Sequence, residues 1–235
     1  MKTYAIGDIH GNYPLLKALL QKTHFSYTHD HLIVLGDICD GHPYVYQTIE
    51  ELLKITHLTL ILGNHDLFTL NWMKTGIELP IHYHQGGNYT IASYDFDYKT
   101  VPQSHINLLE TAPPYLIIPQ NTPTDTPDQT NQPEKLPKIF VHGGFDPTLP
   151  VEFQSTEVLT WDRELINYAS QKPVPNYSTV YVGHTSTQCY TQNPHSDQPL
   201  FLNNLIMLDT GAGWNGPLTM IDIETHKFYQ VKGKT

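Results

Sequence analysis

Five short apolar runs in this chain each stop at a glycine beside side chains able to bind a cation. They are Tyr4-Ala5-Ile6-Gly7-Asp8-Ile9-His10, Leu32-Ile33-Val34-Leu35-Gly36-Asp37, Leu60-Ile61-Leu62-Gly63-Asn64-His65-Asp66, Ile139-Phe140-Val141-His142-Gly143-Gly144 and Val180-Tyr181-Val182-Gly183-His184. One strand ending in Gly-Asp is ordinary turn chemistry. Five supply Asp8, His10, Asp37, Asn64, His142 and His184, an oxygen and nitrogen set without a thiolate. Such a set suits Mn²⁺, Fe or a catalytic Zn²⁺ better than a structural zinc, which favours cysteine. Asp37 can act as a bridge, because the two oxygens of a carboxylate can hold two cations about 3.5–4 Å apart. That spacing clamps both the attacking and the leaving oxygen in phosphoryl displacement.

Positioning these groups requires strands that end at one edge. Four consecutive apolar residues bounded by polar ones read as a buried strand, and glycine allows the sharp turn that follows. At the carboxyl ends of strands in an open α/β sheet, loops converge on ligands. Residues 14–20 carry proline in the first turn and leucines at helical spacing, and residues 43–55 repeat the plan with Val45, Ile49, Leu52 and Leu53. Strand, loop, helix, strand is a βαβ succession and predicts a parallel start to the sheet. A helix is expected over residues 67–74, capped by Asp66 and stopped by Gly76.

The stretch His82-Tyr83-His84-Gln85-Gly86-Gly87-Asn88-Tyr89 reads as loop material over the site, with His82 and His84 as surface histidines. Residues 104–111 form a further short helix. Strands at residues 115–118 and 138–141 flank the segment 119–137, whose Pro, Thr, Asn, Gln and Asp content predicts a long mobile hairpin loop. Residues 173–175 and 191–199 are loops by composition, and strands at residues 205–208, 218–223 and 228–231 give a mixed or antiparallel ending. The whole, residues 1–235, is expected to be one domain.

A formal net charge of −10, with no cluster of lysine or arginine, excludes nucleic-acid binding through phosphate neutralisation. Bound divalent ions would invert that sign locally and admit a phosphorylated substrate. Two cysteines, Cys39 and Cys189, are too few for a disulfide framework. With no signal or membrane-spanning pattern visible, a cytoplasmic location without membrane attachment is expected.

Gly7-Asp8-Ile9-His10-Gly11, Gly36-Asp37-Ile38-Cys39-Asp40-Gly41, Gly63-Asn64-His65-Asp66, His142-Gly143-Gly144 and Gly183-His184-Thr185 together resemble the motifs of the calcineurin-like metallophosphoesterases. They stand in that family's order, and the chain is most similar to its bacterial and phage phosphoprotein phosphatase branch. Leu208-Asp209-Thr210-Gly211-Ala212-Gly213 is also similar to that branch. The resemblance implies a four-layer αββα sandwich of mixed sheets with the metal site at the carboxyl ends of the strands. It also implies two divalent ions, the first on Asp8, His10 and Asp37, the second on Asp37, Asn64, His142 and His184.

In the family, the positions of Asp40 and His65 pair, which makes His65 a candidate proton donor to the leaving oxygen. The alternative is a histidine that merely steadies Asn64. The family usually has Asp-Arg-Gly after the second motif, but here Asp40 is followed by Gly41-His42. The chain's only arginine, Arg163, lies in a Trp161-Asp162-Arg163 segment similar to one that contacts substrate phosphate in the bacterial branch. Competing readings are an ion pair of Arg163 with Asp162 or Glu164, and a phosphate contact made by His42 instead.

The expected activity is hydrolysis of phosphate monoesters by metal-activated water, in the manner of a serine/threonine protein phosphatase. A dinucleoside polyphosphate or nucleotide hydrolase is the alternative. An inactive metal-binding scaffold is a second one, opposed by the presence of Asp40 and His65 beside all six ligand candidates. Mn²⁺ is the expected metal, and the partner is a phosphoprotein or a small phosphate ester.

Overall fold

The computed structural model describes residues 1–120, 135–191 and 196–233. In the first sheet, β1 (Thr3–Ile6), β2 (His31–Val34) and β3 (His57–Leu60) run parallel. β9 (Leu218–Asp222) and β10 (Phe228–Val231) extend it antiparallel beyond β1, in the order β10-β9-β1-β2-β3. The second sheet has the order β4-β5-β6-β8-β7. Its strands are β4 (Tyr115–Ile118), β5 (Lys138–Val141), β6 (Thr179–Val182), β7 (Leu200–Leu202) and β8 (Leu205–Met207). β5, β6 and β8 are parallel, and the edges β4 and β7 are antiparallel.

Side chains of a strand alternate between faces, and here both faces are buried. Tyr4, Ile6, Leu32 and Val34 pack towards helices, whereas Ala5 and Ile33 join Phe140, Tyr181 and Ile206 between the sheets. Ile139, Val141, Val180 and Val182 form a third cluster with Leu159, Leu165 and Ile166. Phe140 and Tyr181 are register partners and stack at 4.7 Å between ring centroids. Helix, sheet, sheet, helix is the expected four-layer order.

Helix α1 (Tyr13–Lys22) starts with the Asn12 side chain accepting from Leu15 N and buries Leu15, Leu16, Leu19 and Leu20. α2 (Val45–Leu52) buries Val45, Ile49 and Leu52, while Leu53 of the expected apolar face is exposed at its end. α3 spans Asn64–Thr75 and stops at Gly76, whose φ of 71° is the left-handed conformation common after a helix. It therefore begins three residues before the expected start. Residues 82–89, expected as loop, lie instead within helical turns that run from 80 to 93: α4 (Pro80–His82), a π turn (Tyr83–Gly87) and α5 (Asn88–Ser93).

The remaining helices are α6 (Gln103–Glu110), α7 (Thr156–Trp161), α8 (Glu164–Gln171) and α9 (Thr187–Tyr190). Of the expected loop 119–137, residues 121–134 lie outside the described residues, as do 192–195 of the loop expected over 191–199. No helix among the described residues is long and apolar enough to cross a membrane.

Candidate active site

The loops after β1, β2, β3, β5, β6 and β8 bring Asp8, His10, Asp37, Asn64, His142, His184 and Asp209 to one edge shared by the two sheets. His10, Asp37, Asp40 and His184 have φ of 50°, 50°, 66° and 60°. This left-handed region is sparsely used by residues other than glycine, and such positions gather at functional sites. Gly36 is required as well: at its φ of +93°, a Cβ would come within 2.7 Å of His142 Nδ1.

Ligand-type atoms of His10, Asp37 and His65 lie within 4.8 Å of one another, and so do those of Asp37, His142 and His184. Asp37 belongs to both groups, the arrangement expected of a bridge. Asp8 Oδ2 is 4.0 Å from His10 Nε2, and Asn64 Oδ1 is 3.0 Å from His142 Nε2. His184 falls in the second group only.

The backbone fixes two of the imidazoles. His10 Nδ1 donates to Cys39 O at 3.1 Å and His142 Nδ1 to Leu35 O at 2.6 Å, so in each the Nε2 is left for the site. His142 Nε2 meets Asn64 Oδ1 at 3.0 Å and Asp37 Oδ2 at 3.3 Å. Burial would depress His142, but the charge of Asp37 and the hydrogen bond to it raise its pKa, so in the metal-free site a proton on Nε2 stands between these two oxygens; a neutral His142 would leave three acceptors facing one another. Buried His184 Nε2 has no hydrogen-bond partner among the described residues. Converging acceptors and an orphaned nitrogen are satisfied together by cations, so the donor set fits the divalent ions the motifs imply.

Burial, followed by the charges of Asp209 and Asp37, holds the Asp8 carboxyl well above its usual range. Burial and the charge of Asp37 raise Asp66 and Asp209 to about 6. Burial lowers His10 to about 4 and, with the neighbouring His142, lowers His184 to about 3, which keeps both as neutral lone-pair donors. Burial would also depress His65, but the charges of Asp37 and Asp40 and the hydrogen bond to Asp40 raise it to about 9.

His65 Nδ1 lies 2.7 Å from Asp40 Oδ2, as expected of a pair. Burial opposes ionisation of Asp40, yet hydrogen bonds from His65 and His82 outweigh it and lower its pKa. Asp66 does not simply cap a helix starting at Leu67. As the third residue of α3, its carboxylate accepts from Gly63 N, Asp37 N and Ile38 N, which ties the second and third motifs together. His82 is likewise not a surface residue. It is 1% exposed and its Nε2 is 3.0 Å from Asp40 Oδ1, whereas His84 is exposed as expected.

Arg163 stands exposed immediately before α8, and its charge contributes to the depression of His184. Asp162 Oδ1 instead caps α8 by accepting from Leu165 N, and Glu164 accepts from Asn167 Nδ2. All ion pairs among the described residues involve lysine or histidine, so Arg163 has none. His42 Nε2 is engaged by Ala212 O at 3.1 Å and Asn12 Nδ2 at 3.2 Å. Cys39 is fully buried, and burial raises its thiol pKa well above the ordinary value. Asp209 carried no sequence-based role. Its signal was present, since Leu205–Met207 is one more apolar strand leading to an acid near a glycine.

An αββα sandwich with a histidine and carboxylate cluster at the carboxyl edge of both sheets defines a class of metal-dependent phosphoesterases. The model of the calcineurin-like phosphoesterases matches residues 1–197, and the chain belongs to that family, whose members are dinuclear metal enzymes. It is 27% identical to a symmetrical bis(5'-nucleosyl)-tetraphosphatase of Neisseria gonorrhoeae, over 99% of this chain and 96% of the relative. The fold matches a solved "putative diadenosine tetraphosphatase" with a TM-score of 0.69 and 19% identity, covering 100% of this chain and 94% of the other. It also matches a protein serine/threonine phosphatase of Saccharomyces cerevisiae, with a TM-score of 0.60, 12% identity, and 100% and 80% of the two chains covered.

Proposed function

We propose that this phosphoesterase hydrolyses dinucleoside polyphosphates, cutting a tetraphosphate bridge symmetrically into two nucleoside diphosphates. The observation that carries this is the full-length similarity to the Neisseria gonorrhoeae relative, which extends well beyond the motifs. The same reading takes residues 1–235 as one unit. β9 and β10 lie beyond the matched residues 1–197, yet β9 pairs directly with β1.

The proposed holders of one ion are Asp8, His10 and Asp37, and of the other Asp37, Asn64, His142 and His184, with Mn²⁺ as the working metal. Such ions supply Lewis acidity towards phosphoryl oxygens and acidify water from about 15.7 to about 7 in the zinc case. The chain's own groups do the rest. Asp40 orients the His65 ring through Nδ1, so His65 Nε2 can deliver a proton to the departing oxygen. Unpaired Arg163 offers a planar fork to two phosphate oxygens, a contact for which His42 is less free. Trp214, 72% exposed, follows Gly213, which packs against the His10 ring, and offers a nucleobase a stacking surface at the rim.

A second reading, hydrolysis of phosphoserine or phosphothreonine, is favoured by the His65–Asp40 pair. An alkoxide leaving group needs a proton donor more than a nucleoside diphosphate does. The test is to incubate Mn²⁺-loaded protein with diadenosine tetraphosphate and with phosphopeptides, and to separate the products by chromatography. Adenosine diphosphate as the sole nucleotide product, at a kcat/KM above that for the peptides, is the expected result. Adenosine mono- and triphosphate pairs, or a preference for peptides, would contradict it.

A further inference from the structure

His82 and the carboxylate it touches form a chain of three side chains that extends behind the reacting end of the site. Asp40 is fully buried. Its Oδ1 accepts from Thr90 Oγ1 at 2.6 Å, His82 Nε2 at 3.0 Å and Thr69 Oγ1 at 3.2 Å, while its Oδ2 is left to His65 Nδ1 at 2.7 Å. Thr90 Oγ1 also accepts from Asp40 N, so the threonine proton is committed to Oδ1. The ring of His82 is sandwiched, since a Cβ on Gly87 would run into it, and Phe68 lies 6.0 Å away between centroids. Gly86 in turn leaves room for Gly41 N, beside Asp40. The Gly86-Gly87 pair thus clamps both His82 and the backbone that follows Asp40.

We infer that His82 is a positioning residue for catalysis. By holding Oδ1 from behind, it keeps Oδ2 on His65 and so keeps His65 Nε2 aimed at the departing oxygen. Two features support this over a purely structural role. The other ring nitrogen, Nδ1, is buried without a hydrogen-bond partner among the described residues, so a wholly apolar side chain would pack there with less loss. Among the described residues, the hydrogen bonds of His82 go only to Asp40 and to Thr69, itself a donor to Asp40. The inference rests on the proposed role of His65. During leaving-group departure the P–O bond breaks, its electron pair stays with the leaving oxygen, and that oxygen takes the proton from His65 Nε2. Solvent returns a proton to His65 afterwards.

The test compares His82→Phe, which keeps a ring but removes the donor, with His82→Gln, which keeps a donor near the Nε2 position. Each is assayed in the Mn²⁺-loaded enzyme with an alkyl phosphate and with p-nitrophenyl phosphate, whose leaving group needs no proton. His82→Phe is expected to lower kcat on the alkyl phosphate about ten- to hundredfold, part of the roughly 10²–10⁴ available to a general acid. KM, bound metal and turnover of p-nitrophenyl phosphate should stay near the parent values, and His82→Gln should recover most of the loss. Added to His65→Asn, His82→Phe should cost nothing more, because the group it positions is gone.

Equal losses on both substrates, or an undiminished further loss in the His65→Asn background, would overturn the inference. If His82→Phe fails to fold, Thr90→Val removes another Oδ1 donor and is expected to reproduce the selective loss. A uniform loss there would overturn the inference in the same way. If His65→Asn itself treats the two substrates alike, the proposed role of His65 fails and the inference with it. A selective loss in His65→Asn without one in His82→Phe overturns the inference alone.

Discussion

On the side of the first sheet, Asp66 accepts three backbone N–H groups, Asp40 accepts four side-chain donors, and His10 Nδ1 is anchored on Cys39 O. On the side of the second sheet, the contacts of His142 all reach across to first-sheet residues, Leu35 O, Asn64 Oδ1 and Asp37 Oδ2, and buried His184 Nε2 has no hydrogen-bond partner among the described residues. The first half is a self-sufficient hydrogen-bonded knot, whereas the second is completed only by what binds between them. Asp37 is where the halves meet, since it belongs to both candidate ligand groups. Pre-organisation on one side leaves the other side free to respond to the metal.

The largest effect should come from breaking that shared point. Chelation is expected to abolish hydrolysis of p-nitrophenyl phosphate, and added Mn²⁺ to restore it. Asp37→Asn should lower activity by more than the roughly 10–100-fold typical of residues that only support a ligand. The comparison also has a local readout. After chelation, amide hydrogen exchange should rise around His184 while the segment around Asp37 to Asp40 stays protected. Equal deprotection of both segments would break the contrast between a rigid and a metal-dependent half.

Next in size is His65→Asn, a change confined to the first half. It should reduce turnover of alkyl phosphates by roughly 10²–10⁴ while p-nitrophenyl phosphate suffers far less. Loss on both alike would make His65 a support for Asn64 instead. Arg163, on the second half, should matter by less. A charge-assisted hydrogen bond contributes about 1.5–3 kcal/mol, or roughly ten- to hundredfold in kcat/KM. Arg163→Ala and Arg163→Lys are both expected to show that loss with metal content intact, because lysine cannot reproduce the bidentate fork. Normal kinetics in both, with a loss in His42→Ala, would move the phosphate contact to His42.

Legibility in the sequence divides along a similar line. Asp8, Asp37, Asn64, His142 and His184 were readable because each follows an apolar run and stands beside a glycine, a pattern with only local causes. His82 was not readable. Its burial depends on α4 and α5 folding over Asp40, which lies 42 residues away in sequence, and a three-residue helix has no periodicity to betray it. Asp66 reads as a local cap from sequence because its main partners, Asp37 N and Ile38 N, lie 29 and 28 residues away. β7, only three residues long, and α9, only four, fall below the length at which pattern distinguishes strand from loop. The pairing of two sheets came from the family resemblance, because a continuous apolar run shows that a strand is buried on both faces but not which sheet it joins.

The smallest expected effect concerns Asp209 in the metal-free protein. Burial and the charge of Asp37 raise its pKa from the ordinary 3.8 to about 6. Between those values the folded state binds more protons than the unfolded one, so this group's contribution to stability falls as pH rises through the window. It is fully relieved below 3.8 and remains unfavourable above about 6. Asp209→Asn keeps an acceptor for Gly211 N and should therefore raise the melting temperature of the chelated protein at pH 7 more than at pH 4. A uniform shift across pH would show that Asp209 carries no such charge burden.

The most direct test of two halves joined at Asp37 is a count of bound metal per chain, by elemental analysis, in protein reloaded with Mn²⁺ and freed of excess. About two ions per chain are expected in the parent, as in other two-metal sites. His10→Ala should lose the ion on the first side, His142→Ala the ion on the second, and Asp37→Asn should weaken both. Asp37→Asn retaining the parent's full complement, or His10→Ala and His142→Ala failing to lower the count, would contradict the shared site.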